Sequence, residues 1–173
     1  MKSALRFVLA ALSLNFLGCV AIPKAGTVLF KDKNGVTWLA SFPDQYSNGC
    51  YDQKAQYSRA ACSLPIEKSS PAESACYKIG ALLPTKEDYE NLIKSFDHES
   101  EPRLTEKGVQ QIKSAFGADY TDDWYWTSTL SKRDAEKAHF FSFSTLGLEN
   151  SQDYRYIKHA VRCIQTKRKK MTN

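Results

Sequence analysis

Several chemical signatures are missing from this sequence. No two cysteines stand in a C-x-x-C spacing, so the paired ligands of a zinc ribbon are absent. Ser128 lies in no G-x-S-x-G context, which leaves a hydrolase nucleophile without its strand-to-helix turn. The three histidines, His98, His139 and His159, have no mutual spacing that would form a metal or catalytic cluster. Only His139 and His159, on strands that could be neighbours, keep a two-histidine zinc reading open. The longest apolar run, Phe7 to Leu17, is too short for a permanent transmembrane helix. No internal repeat or low-complexity segment is present.

A charge of one sign is also lacking once the ends are set aside. The 173 residues carry 24 basic and 19 acidic side chains, a formal net charge of +5. Lys2, Arg6, Lys167, Arg168, Lys169 and Lys170 supply six of those cations from segments without acids, and the remaining body is close to neutral. No basic stripe and no nucleic-acid motif remain, so a nucleic-acid partner is not expected. The length suits one ordinary domain. Residues 167–173 read as a solvated basic tail.

Residues 1–21 read as an export signal, with Lys2 and Arg6 before the apolar run. Gly18-Cys19 follows at once and resembles a bacterial lipoprotein signal, in which Cys19 is lipidated and anchors the chain to the membrane. Phe16 and Leu17 depart from the usual lipoprotein pattern, and cleavage after Ala21 or Ala25 is the competing reading. Either reading puts the protein outside the cytoplasm, in the cell envelope or secreted. Cys50, Cys62, Cys76 and Cys163 then meet an oxidising compartment and form two disulfides, with three connectivities open. A local Cys50–Cys62 bridge would close an irregular stretch, 43–69, at a gain of about 3 kcal/mol.

The element pattern is that of an α+β domain over residues 27–166. Asn34-Gly35 between two apolar runs predicts a hairpin over 27–42, with Trp38 in the core. Ser70, Pro71 and Glu73 begin one helix, and Thr85 and Asp88 cap a second. Tyr89, Leu92, Ile93 and Phe96 form the second helix's buried face. A third helix runs from Thr105 to Phe116. Strands follow at Tyr125 to Thr129, Ala138 to Thr145 and Lys158 to Gln165. Antiparallel strands thus come from both chain ends, with two to three helices between them. Arg162 is expected to pair with a buried acid.

Four motifs stand in a fixed order: FKDKNGVTWLAS, CYKIGALLPTKEDYENL, WYWTSTL and a late VRCI. In this the chain resembles the Lcl C-terminal domain family of the bacterial envelope, over Thr27 to Gln165. Leu82-Leu83 replaces that family's usual Arg-Leu, and Tyr89 stands where Trp is common. The family's fold is similar to the C-type-lectin-like fold, which the formylglycine-generating enzymes also share. The resemblance implies a bridge from the first long helix to the last strand, Cys76–Cys163, and hence Cys50–Cys62. It implies binding or adhesion at the envelope without catalysis, the ligand being a polysaccharide or a surface protein. A structural envelope lipoprotein in a partner complex is one alternative, and a formylglycine-type enzyme is another.

Candidate ligand residues lie in the late loops. Tyr154, Arg155 and Tyr156 combine aromatic faces with a guanidinium, a chemistry that suits sugars or anionic chains. Trp124 shares a strand face with Trp126; Trp126 reads as core and Trp124 as partly exposed. Asp119, Asp122 and Asp123 could supply oxygen ligands for Ca²⁺, the one cofactor in view. Glu101-Pro102-Arg103 is the nearest approach to a calcium-lectin tripeptide, and its arginine cannot ligate a cation, so a mannose-type calcium lectin is disfavoured.

Overall fold

The hairpin near the start is built around one carboxylate. In the computed structural model, which describes residues 23–51, 56–64, 70–99, 103–121, 123–143 and 152–166, β1 (Val28–Lys31) and β2 (Thr37–Leu39) pair antiparallel. Asp32 Oδ1 accepts the backbone N–H groups of Asn34 and Val36, at 2.9 and 3.0 Å. Its Oδ2 accepts the indole N–H of Trp38 at 2.9 Å. Gly35 takes the positive φ, 81°, that the turn requires. One aspartate thus closes the turn and satisfies the polar edge of a fully buried indole.

The far end of the chain joins this hairpin. β8 (Ile164–Gln165) pairs antiparallel with β2, so the first sheet runs β1-β2-β8. A second pair joins β3 (Tyr46–Ser47) to β7 (Lys158–His159). The third sheet has the order β4 (Trp124–Leu130), β5 (Lys137–Ser142), β6 (Gln152–Tyr154). The segment expected as one strand, Lys158 to Gln165, is therefore two short strands in different sheets. Between them the backbone changes partners: Ala160 bonds to Trp124 and Trp126, Val161 to Phe42, and Cys163 to Leu39. Backbone pairing on both sides leaves Ala160 to Ile164 buried throughout.

Among the described residues four helices lie between the early and late strands. The stretch expected to be irregular, 43–69, carries β3 and a one-turn helix, α1 (Arg59–Cys62). α2 (Pro71–Lys78) starts with Pro71 in its first turn, and the Ser70 side chain accepts the Glu73 N–H. α3 (Lys86–Ile93) has a complete capping box between Thr85 and Asp88. α4 (Glu106–Phe116) is capped by Thr105 and ends at Gly117, whose φ is 57°. The domain is α+β with antiparallel sheets and two disulfides, Cys50–Cys62 and Cys76–Cys163. The second ties α2 to the residue preceding β8, across 87 positions, which by chain entropy contributes about 4–5 kcal/mol.

Two apolar clusters fill the interior. Trp38, Tyr89, Ile112, Phe116, Tyr125 and Phe141 belong to one, and Leu39, Cys76, Leu83, Trp126 and Val161 to the other. The Tyr89 ring stacks on Phe141 at 4.4 Å and 11°. α4 is held against the turn before it by Gly108. A Cβ at that position would lie 1.9 Å from the Asp97 carbonyl oxygen, and that oxygen already accepts the Thr105 N–H at 3.2 Å.

Gly108→Ala tests this contact. Helix propensity alone would favour alanine by about 1 kcal/mol. The clash with fixed backbone predicts the opposite sign, a loss of about 2–3 kcal/mol in denaturant unfolding. Stabilisation by the substitution would show that the Asp97 turn does not lie against α4.

Candidate functional site

Asp119 is a structural residue, and this corrects its expected role as a calcium ligand. It lies in the 3₁₀ turn after α4 and is 3% exposed. Its carboxylate accepts the Ser41 N–H and Ser41 hydroxyl, the latter at 2.9 Å, and a short bond from Arg162 Nη1. Arg162 is fully buried and also donates to the carbonyls of Leu39 and Asp119 and to the Tyr125 hydroxyl. Its guanidinium lies 4.0 Å from the centroid of the Phe116 ring. A carboxylate already filled by a guanidinium and a serine has no lone pair to offer a cation. Asp122 lies outside the described residues, as do residues 1–22 with Cys19, Glu101-Pro102 and the basic tail. Among the described residues no three His, Cys, Asp or Glu side chains are grouped to hold a metal.

Arg155 is the second correction. The Y-R-Y loop was expected to present it to a ligand, but it is fully buried. Its Nε donates to the Asn48 carbonyl at 3.2 Å, and its Nη1 donates to Cys62 at 2.8 Å and to Ala135 at 3.2 Å. Burial pulls its guanidinium below the usual arginine value. Two of these acceptors, residues 48 and 62, bracket the loop closed by Cys50–Cys62. The third precedes β5. Arg155 therefore fastens the disulfide loop to the β6–β7 turn from below.

What it fastens is a row of tyrosines. Tyr154 and Tyr156 stack on each other at 5.4 Å and 20°. Tyr57, from the disulfide loop, meets Tyr156 edge-on at 5.0 Å. The Tyr51 hydroxyl donates to the Tyr156 carbonyl at 2.8 Å. At the other end Lys137 Nζ lies 4.7 Å from the Tyr154 ring centroid. Glu136 accepts a short bond from the Tyr57 hydroxyl and a 2.7 Å ion pair from Arg59, and its carboxylate raises the Tyr57 phenol above its ordinary value. Tyr57, Tyr154 and Tyr156 are 44%, 38% and 37% exposed. Tyr154 and Tyr156 cover one face of each other, Lys137 lies over the Tyr154 ring, and the Tyr57 hydroxyl is held by Glu136.

Trp124 lies elsewhere, at the start of β4. It stacks on Phe140 at 4.8 Å and 17°, and His159 approaches it edgewise. Trp126 is fully buried and packs on the other side of His159 at 4.4 Å. His159 Nε2 lies 3.1 Å from Asp153 Oδ2, yet burial outweighs that carboxylate and holds the imidazole below its ordinary value. His139 bonds to Gln152 instead, in a different sheet from His159, so the two do not form a zinc pair. His139 borders a broad polar groove of about 810 Å³, along with Lys86, Glu90, Lys132 and Arg133.

No family model, curated protein or solved structure matches the chain. Tyr154 and Tyr156 come together, Arg155 lies beneath them, and Trp124 is separate. Sequence reasoning missed Tyr57, Arg59, Glu136 and Lys137. Two tyrosines inside a cysteine-closed loop were the available signal.

Arg155→Met measures the fastening. It keeps the buried stem and leaves three carbonyls unpaired, at a cost of about 3 kcal/mol. Amide hydrogen exchange should speed up over residues 56–62 and 154–157 while α3 and α4 stay protected. Unchanged exchange in the disulfide loop would contradict the role given to Arg155.

Proposed function

We propose that this chain is an exported binding or adhesion protein of the bacterial cell envelope that catalyses no reaction, and that the tyrosine row is its ligand surface. The reading takes the domain as C-type-lectin-like and of the Lcl C-terminal kind. The motif order and the Cys76–Cys163 bridge support it. It also takes Cys19 as a lipid anchor. The two disulfides support an oxidising compartment, and no helix among the described residues is long and apolar enough to cross a membrane.

The observation that carries the proposal is three exposed tyrosines in mutual contact, Tyr154 stacked on Tyr156 and Tyr57 meeting Tyr156 nearly at right angles, beside a pinned loop. Rigid tyrosines lose little entropy on binding, and tyrosine and arginine are the residues that enrich protein interfaces. With ring faces of Tyr154 and Tyr156 taken by their stack and by Lys137, the row offers edges and the charges of Arg59 and Lys137. That favours a protein ligand over a stacked sugar. The formylglycine-type alternative loses support, because the four described cysteines are all in disulfides and no free thiol pair remains among them. A polysaccharide ligand draws support from Trp124, whose ring is half exposed.

The test is binding of the labelled mature chain to isolated envelopes, before and after protease treatment. Protease should abolish binding, and Tyr57→Ser with Tyr156→Ser should weaken it by about tenfold or more, the loss of one interface anchor being about 2 kcal/mol. Binding that survives both would refute a protein ligand at this row. Palmitate incorporation, lost in Cys19→Ala, tests the anchor in the same cells.

A further inference from the structure

Trp124 has an arrangement that the tyrosines lack. One face of its indole is covered by Phe140, in a parallel stack, and His159 closes one edge. The residue is nevertheless 51% exposed. His159 lies 5.5 Å from Trp124 and 5.3 Å from Phe140, beside the stack, so neither ring covers the opposite face of the indole. The ring is also held in place. The Trp124 carbonyl accepts the Ala160 N–H at 2.9 Å, and Trp124 pairs with Ser142 across the sheet. The indole is therefore a fixed flat shelf.

Beside the shelf is a small cavity of about 210 Å³ lined by Gln45, Asp123, Trp124 and His159. Gln45 is exposed and Asp123 half-buried. An amide and a carboxylate supply the mixed donors and acceptors that adjacent sugar hydroxyls need. Among the described residues the cavity lining contains no lysine or arginine. Burial holds the His159 imidazole below its ordinary value. An aromatic face next to a few placed polar groups is the usual composition of a small-ligand site.

We infer that Trp124, Gln45 and Asp123 form a subsite for one neutral pyranose ring of a glycan, independent of calcium. The C–H face of the ring lies on the open indole face, and its hydroxyls bond to Asp123 and Gln45. The Asp123 carboxylate and the absence of a lining cation select against uronic and sulfated sugars. The small volume accommodates one ring and leaves the rest of the chain in solvent. This site shares no residue with the tyrosine row and stands or falls separately from it.

Tryptophan chemistry reads the site directly. Trp38 and Trp126 are fully buried, and Trp124 is the one exposed tryptophan of the three. Acrylamide quenching and N-bromosuccinimide oxidation of the native chain therefore report on Trp124. The probes are maltotriose, cellotriose, mannotriose and chitotriose at up to about 10 mM, enough to saturate a millimolar site, with a heparin trisaccharide as the anionic control, all in EDTA. At least one neutral trisaccharide should lower the quenching constant by about twofold or more. Asp123→Asn should weaken that protection by about fivefold while the indole stays exposed to quencher, as would follow from losing one charged hydrogen bond. Tyr154→Ser should leave it unchanged, which separates this site from the tyrosine row. No protection by any neutral probe overturns the inference, and so does protection by the heparin fragment alone.

Discussion

The buried pair of Arg162 and Asp119 is the contact on which the remaining elements converge. Arg162 comes from the stretch between β7 and β8, and Asp119 from the turn after α4. Through hydrogen bonds the pair holds Leu39 and Ser41 next to β2, and Tyr125 in β4. Both ends and the middle of the chain thus meet at one guanidinium. Removing two charges from water costs several kcal/mol each, and attraction offsets this only when the remaining hydrogen-bonding groups are also satisfied. Here the carboxylate is filled by Ser41 and Arg162, both Nη atoms of Arg162 donate, and only its Nε is left without a hydrogen-bond partner, with Phe116, Tyr125 and Phe143 around the cation. The pair acts as a register device. Any shift of the last segment against α4 leaves a bare charge in an aromatic core.

A second buried arginine does for the surface what Arg162 does for the core. Arg155 holds the Cys50–Cys62 loop by its carbonyls at residues 48 and 62. Cys50 itself takes a left-handed φ of 68°, which is unusual for a residue with a side chain. The disulfide and the arginine together keep that conformation in place. The consequence is a row of tyrosines that is exposed but not free to move. The order of this surface thus depends on groups beneath it.

Legibility in the sequence followed the range of the interaction. The hairpin was readable because Asn34-Gly35 is a local signal, and the helix starts were readable because a cap lies within three residues of what it caps. The split between buried Trp126 and exposed Trp124 came from the family motif that Trp126 belongs to, since the two share a strand face, and an acid partner for Arg162 was expected, though not its identity. Arg155 was misread for a physical reason. Its acceptors lie 107, 93 and 20 positions away, and no local pattern distinguishes an arginine that turns inward between two exposed tyrosines. Asp119 was misread in the same way, since a D-Y-T-D-D run looks like a solvated or metal-binding loop until Arg162 is placed beside it. The last segment read as one strand because its residues alternate between two faces, Ala160 and Arg162 on one and Val161 and Cys163 on the other. The change of pairing partner between β7 and β8 is set by segments distant in the chain, which no local pattern shows.

The central claim is that the Arg162–Asp119 pair sets the register of the whole domain. The direct measurement is a double-mutant cycle by denaturant unfolding, with Arg162→Met, Asp119→Asn and both together. Each single substitution leaves its partner buried and unsatisfied, so each should cost about 3–5 kcal/mol. The double variant should cost about as much as one single, which gives a coupling of about 3 kcal/mol. Costs that simply add, or single losses below about 1 kcal/mol, would contradict the account.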